Sequence, residues 1–224
     1  MKIERKKVAD RIVLLTFQSR FDLTSSLLRF QEHYESPEFR GKIFTLEEYQ
    51  KWYIVNSPEG QKTGKFTYYD DWNGFNFPSH VLTPFFAGDF NPLSEKEEQI
   101  VRLLRPEAYP FYTIGIHRQN KISTIIDVLN HEIAHGLFYT DVEYRKKVLA
   151  EMQSEDLSEL RNKLRSLGGY HESVLDDELH AYSLRPSERV KSDKTENLKQ
   201  RLERIFAEHA KLNNVIMPGE FIQK

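Results

Sequence analysis

The chain has 224 residues, enough for one compact unit with a core of its own. Its 32 basic and 34 acidic side chains nearly cancel, to a net charge of −2, so no field of one sign points to nucleic acid as a partner. There is no cysteine, which excludes disulfides, thiol nucleophiles, iron–sulfur clusters and thiolate zinc sites; any transition metal must sit on His, Asp or Glu.

The opening segment, MKIERKKVADRIVLLTF, is basic, but Asp10 and Arg11 interrupt its apolar run and no small-residue cleavage site follows. No stretch approaches the roughly 18 apolar residues of a membrane-spanning helix. The expectation is a soluble, cytoplasmic protein with no membrane partner.

Arg11 to Gln18, RIVLLTFQ, predicts a buried strand, and Asp22-Leu23-Thr24 a helix entry. Two short helices follow, SSLLRFQEHY and TLEEYQKWY, the second opened by a capping box of Thr45 and Glu48. From Asn56 to Asn91, Gly, Pro and aromatic punctuation predicts hairpins and loops. Ser94 with Glu97 caps a helix through Leu104, stopped by Pro106 and Pro110, and FYTIGIH (Phe111 to His117) reads as a strand. Beyond Asn120 the chain reads as helical, with breaks at Gly168-Gly169 and Pro186 and a last long helix from about Ser187 to Leu212. The tail NNVIMPGEFIQK is either a docked strand or a loose end. The expected fold is α+β: a mixed part over residues 1–118 that supplies the sheet, and a mostly helical part over 119–224, together one unit.

Within the helical part, Asn130 to Phe138 reads NHEIAHGLF, on a helix opened by Ser123 or Thr124. At about 100° per residue, His135 and Val128 fall close to His131, while Ile125, Ile126, Leu129, Ile133 and Leu137 occupy the opposite arc. The imidazoles therefore avoid the aliphatic stripe, unlike histidines that merely fill a core. Two imidazoles at i and i+4 can present nitrogens to one ion, and Glu132 beside them can move a proton without ligating.

With these residues the chain resembles the zincin metallopeptidases, which carry HExxH on an active-site helix. The resemblance is local. It implies a zincin-like fold, a single Zn2+ bound by His131 and His135, Glu132 as general base, and a peptide or protein substrate. Peptide deformylases share the motif but take a cysteine ligand, which is absent.

A third ligand is needed. Asp141 lies where compact zincins of the HExxHxxGxxH type, or their Asp variant, place theirs, but those use Gly where this chain has Phe138. In YHESVLDDELHAYSL, Glu178 sits among Val174, Leu175, Ala181 and Tyr182 on the wheel, with Asp176 and His180 roughly opposite. A carboxylate inside an apolar stripe needs strong hydrogen-bond donors or a cation, either a metal or a basic side chain. Glu178-Leu179-His180-Ala181-Tyr182 also resembles the ExxAD ligand motif of gluzincins, with Tyr182 in place of the Asp that supports a ligand histidine there. Glu178 is the favoured ligand. His171 is a donor, an alternative ligand or a helix-terminus residue; Tyr139, Tyr144, Tyr170 and Tyr182 are further oxyanion candidates.

In the resembling enzymes an edge strand ahead of the active helix pairs with extended peptide. FYTIGIH is placed in that role, with Gly115 permitting close approach, and YYDDWNGFNFPS either walls the cleft or forms a packed loop. Two other functions compete with the peptidase. One is a di-iron carboxylate site built on Glu132-x-x-His135 and Asp177-x-x-His180, which leaves His131 unexplained. The other is a metal-stabilised protein of zincin fold that binds peptides or proteins without turnover.

Overall fold

In a computed structural model, residues 1–167, 170–185 and 196–221 are described. The predicted breaks at Gly168-Gly169 and Pro186, and the first part of the predicted last helix, lie outside them. The architecture is mixed α and β, mostly helical around one four-stranded sheet. Among the described residues no helix is long and apolar enough to cross a membrane.

The strands are β1 (Ile3–Ala9), β2 (Ile12–Phe17), β3 (Gly74–Pro78) and β4 (Tyr112–His117), in the order β1-β2-β4-β3. β1 and β2 form an antiparallel hairpin, β2 and β4 are parallel with Leu14 opposite Ile114, and β3 runs antiparallel to β4. β1 escaped the sequence reading because its run of charges, Glu4 to Lys7, suits an edge strand and lacks a plain apolar alternation.

The helices are α1 (Arg20–Glu35), α2 (Leu46–Asn56), α3 (Pro58–Thr63), α4 (Tyr68–Asp71), α5 (Thr83–Ala87), α6 (Glu95–Leu104), α7 (Ile122–Thr140), α8 (Val142–Gln153), α9 (Ser158–Leu167), α10 (Leu175–Leu184), α11 (Glu196–Leu212) and α12 (Pro218–Phe221). Both capping boxes form, Thr45 with Glu48 opening α2 and Ser94 with Glu97 opening α6. α1 starts earlier than expected, because Ser19 accepts the Asp22 amide and caps it. The predicted hairpins between Asn56 and Asn91 are replaced by α3, α4, α5 and β3. β3 finds its partner in β4, far along the chain, and not in a neighbouring strand.

Period-two alternation sends the sheet's side chains to two cores. Ile12, Leu14, Tyr112, Ile114 and Ile116 pack with Ile125, Leu129, Ile133 and Leu137 of α7 and with the C-terminal helices. Val13, Leu15, Phe17, Phe75 and Phe77 pack with α1 and an aromatic cluster from α2, α4 and α5. The sheet is thus covered on both faces, and α1 and α7 lie on opposite sides of it. The start of the tail is docked: Ile216 donates its amide to the Val8 carbonyl at 2.8 Å, and the Asp10 amide bonds the Asn213 carbonyl at 3.1 Å, while residues 222–224 lie outside the described residues.

One expectation is overturned by the strand order. FYTIGIH, as β4, is interior, paired on both sides, so it cannot receive a substrate strand. Its Gly115 serves the core: an added Cβ would collide with Leu27 and come within 2.8 Å of Leu23 Cδ1, so the glycine lets α1 approach the sheet. The edge on this side is β3, from the stretch read as cleft wall or loop.

Candidate metal centre

α7 carries the HExxH residues past the β3 edge. Its aliphatic stripe lies on the sheet, which leaves His131 half-buried at a cleft and His135 and Glu132 buried just behind it. α10 then returns along α7 and brings Glu178 to the same place. His131 Nε2 and His135 Nε2 are 3.2 Å apart, His135 Nε2 is 3.7 Å from Glu178 Oε1, and ligand atoms of all three residues lie within 4.8 Å of one another. Donors about 2.0–2.1 Å from a tetrahedral ion sit about 3.4 Å from each other, which the His131–His135 and His135–Glu178 pairs approach, with the third pair within 4.8 Å.

The electrostatics also fit a cation. Glu178 Oε2 is buried without a hydrogen-bond partner among the described residues. Burial pushes the Glu178 carboxyl up to about 8 and raises that of Glu132. Burial alone would lower His135, but Asp177, Glu178 and Glu132 outweigh it and raise the imidazole to about 10. Burial and the charge of His135 hold His131 well below its ordinary value. The three carboxylates around His135 favour a positive charge in this cluster, which a proton or a metal ion can supply.

The supporting contacts differ from those the sequence suggested. His135 Nδ1 lies 2.9 Å from Asp177 Oδ1, so Asp177 takes the supporting role that Tyr182 left open. Behind Asp177, His180 Nδ1 stands 3.7 Å away and His180 Nε2 bonds the Tyr144 hydroxyl at 2.7 Å. Asp177 and His180 therefore stand behind the imidazole, where the di-iron arrangement would need them facing an ion. Glu132 Oε2 accepts from Asn76 Nδ2 at 2.5 Å, and the Tyr112 hydroxyl donates to Asn76 Oδ1. Gln31 Oε1 in turn accepts the Asn76 amide at 3.0 Å. Gly74 completes this packing, since a Cβ there would lie 2.7 Å from Glu132 Oε1.

No family model, curated protein or solved structure matches the chain. Function must therefore be argued from the site itself.

Asp141 is not at the centre. It caps α8 through the Tyr144 amide at 3.0 Å and bonds His209 Nδ1 at 2.7 Å. His171 caps the 3-10 turn at Glu172–Val174 by accepting the Ser173 amide, and it does not line the cleft. Tyr139 packs on His80 and Tyr112, and Tyr144 is buried beneath His180; neither lines the cleft. Tyr182 and Tyr170 do line it: the Tyr182 ring lies 4.7 Å from that of His131, and the two hydroxyls are 3.2 Å apart.

The cleft encloses about 740 Å³, with His131, Glu132 and Glu178 on one wall and Asn73 to Asn76 of the β3 edge on another. Glu35, at the end of α1, also reaches it, and burial together with the neighbouring Glu178 holds its carboxyl well above the usual range. Glu35, Gln31 and Asn76 were not found as parts of a metal site, and Asp177 was read only as a di-iron ligand paired with His180, not as the carboxylate behind His135. Their nearest sequence signals, an amphipathic helix, a Gly/Asn-rich stretch and an acidic pair, carry no spacing that points to α7.

Proposed function

We propose that the protein is a zinc metallopeptidase that holds one ion per chain on His131, His135 and Glu178. The observation that carries this reading is the convergence of two imidazole nitrogens and a buried carboxylate within 4.8 Å, beside a further carboxylate and at the wall of an open cleft. A zinc ion held there would supply Lewis acidity, polarising a substrate carbonyl and acidifying water.

Glu132 is the general base. Asn76 fixes one of its oxygens, and burial raises its proton affinity; both suit a group that takes a proton from water and returns it to the leaving amine. Asp177 orients the His135 ring so that Nε2 faces the cleft. Tyr182 and Tyr170 offer hydroxyls on the cleft wall to an oxygen that gains negative charge during the reaction. An extended peptide would lie along β3, the strand that both ends the sheet and borders the cleft.

The test joins composition to turnover. The purified protein should contain one zinc per chain by elemental analysis and cleave unstructured peptides, and His135→Ala should lose the metal. Glu132→Gln should keep the metal while cleavage falls about 10²- to 10⁴-fold. A fully zinc-loaded wild type that cleaves nothing would sink the peptidase reading in favour of metal-supported binding.

A further inference from the structure

A second cavity, of about 400 Å³, lies beside the metal cleft. The two share Glu35, Tyr68, Trp72, Tyr170 and Tyr182 as walls, so the second begins next to the tyrosine that packs on His131. Its size falls within the range of pockets for small ligands, about 300–1,000 Å³.

Its lining has one sign. Glu32 and Glu35 project from α1, each more than nine-tenths buried, and Glu59, Asp70 and Asp71 also line it. Among the described residues no Lys, Arg or His lines the cavity, and neither Glu32 nor Glu35 has a basic side chain within ion-pair distance. Glu32 accepts the Tyr68 hydroxyl at 2.6 Å, a neutral donor that leaves its charge unbalanced. The rings of Tyr49, Trp52, Tyr53 and the partly exposed Trp72 line the same cavity.

Buried carboxylates without a counter-cation are costly, and aromatic faces attract cations. A pocket that offers both, while excluding bases from its walls, lacks one component: a positive group brought in by the ligand. We infer that this cavity receives the side chain of an arginine or lysine in the peptide substrate, so that cleavage is directed to bonds flanked by a basic residue. A guanidinium or ammonium would meet Glu32 and Glu35 at the buried end while its aliphatic stem runs between the rings.

The inference rests on the peptidase reading, and two measurements separate their failures. Matched peptides that differ at one position (Arg, Lys, citrulline, norleucine or Glu) are digested by the zinc-loaded full chain. The Arg and Lys peptides should show kcat/KM at least about tenfold above citrulline and norleucine, with Glu the poorest, because a site with unpaired buried charge rejects analogues that leave it unpaired. In Glu32→Gln/Glu35→Gln that preference should shrink to about threefold or less. Asp70→Lys, at an exposed position that tolerates charge, should weaken it in the same direction.

Separately, binding of N-acetylarginine amide and N-acetylcitrulline amide to Glu132→Gln is measured by calorimetry. The arginine compound should bind, the citrulline compound should bind at least about tenfold more weakly, and the two α1 substitutions should remove the difference. Cleavage without a basic preference, or equal binding of the two amides, overturns the inference and leaves the peptidase reading intact. Selective arginine binding by a protein that cleaves no peptide has the opposite meaning: the pocket stands and the peptidase reading falls.

Discussion

Asp177 on one side of the sheet and Glu32 and Glu35 on the other are buried to the same depth and respond in opposite ways. On the α7 side, burial pushes Asp177 up, but His135 and His180 reverse the effect and leave its carboxyl below the ordinary range. On the α1 side, burial raises Glu32 to about 7, opposed only by neutral donors, and burial with the charge of Glu178 raises Glu35 well above its usual value, against Gln31 and the more distant charge of His135. Depth therefore does not decide whether a buried acid is charged; its partner does. Asp177 is stationed to hold an imidazole. Among the described residues neither Glu32 nor Glu35 has a basic side chain within ion-pair distance, which leaves room for one that arrives with a ligand.

A third buried acid on the α1 side tests this rule most severely. Glu97 forms a two-point pair with Arg29, at 2.6 and 2.7 Å, and both side chains are about nine-tenths buried. The same carboxylate closes the capping box of α6. Glu97→Ala should destabilise by about 3–5 kcal/mol, because it leaves a guanidinium buried without its anion and also removes a cap. Denaturant unfolding measures this directly. A loss of about 1 kcal/mol or less would show that Arg29 is satisfied by the Phe44, Phe90 and Pro92 carbonyls alone.

How much of this was legible follows from the range of each interaction. The capping boxes at Thr45 and Ser94 were readable because Ser or Thr and Glu three residues apart form a closed local exchange. The His131/Glu132/His135 constellation was readable for the same reason, as one turn of helix fixes it. Glu178 was legible because an acid in an apolar stripe is a local contradiction that only a distant partner can resolve. The wheel also placed His180 opposite Glu178 correctly, but α8 covers that face, so His180 is buried against Tyr144. The roles of Asn76 toward Glu132 and Asp177 toward His135 depend on strand order and on the crossing of α10 over α7, which no local pattern encodes. The misplaced substrate edge has the same origin: FYTIGIH and GFNFP both read as strands, and only their order tells which one ends the sheet.

The contrast between the faces sharpens in Glu32. Its folded value near 7 lies above its ordinary 4.5. The folded state therefore holds a proton between those limits that the unfolded chain has released. Stability from this group is complete below about pH 4.5 and is lost as pH rises through about 7. Glu32→Gln does not titrate, so at pH 8 it should be more stable than wild type by up to about 3 kcal/mol, with the gap closing by pH 4.5. Thermal melts across that range give the answer, and a gap independent of pH would mean that a cation already accompanies Glu32.

On the α7 side the corresponding change should act on the metal with less effect on the fold. Asp177→Ala removes the carboxylate 2.9 Å from His135 Nδ1 without touching a ligand. The ring then loses the contact that fixes its orientation and the negative charge that makes Nε2 a better donor, and the loss of a group that supports a metal-binding imidazole weakens metal affinity about 10- to 100-fold. His180 stays anchored through Nε2 to Tyr144, so the packing of α10 on α8 should persist. Competition with a chelator of known affinity measures the loss. Asp177→Asn separates its two components, because the amide oxygen can still accept from Nδ1 but brings no charge. An asparagine variant as weak as the alanine one would assign the effect to charge, and one close to wild type would assign it to orientation. Unchanged affinity in both would mean that His135 is held by packing alone, and Asp177 would then be no more than another buried acid that has found a base.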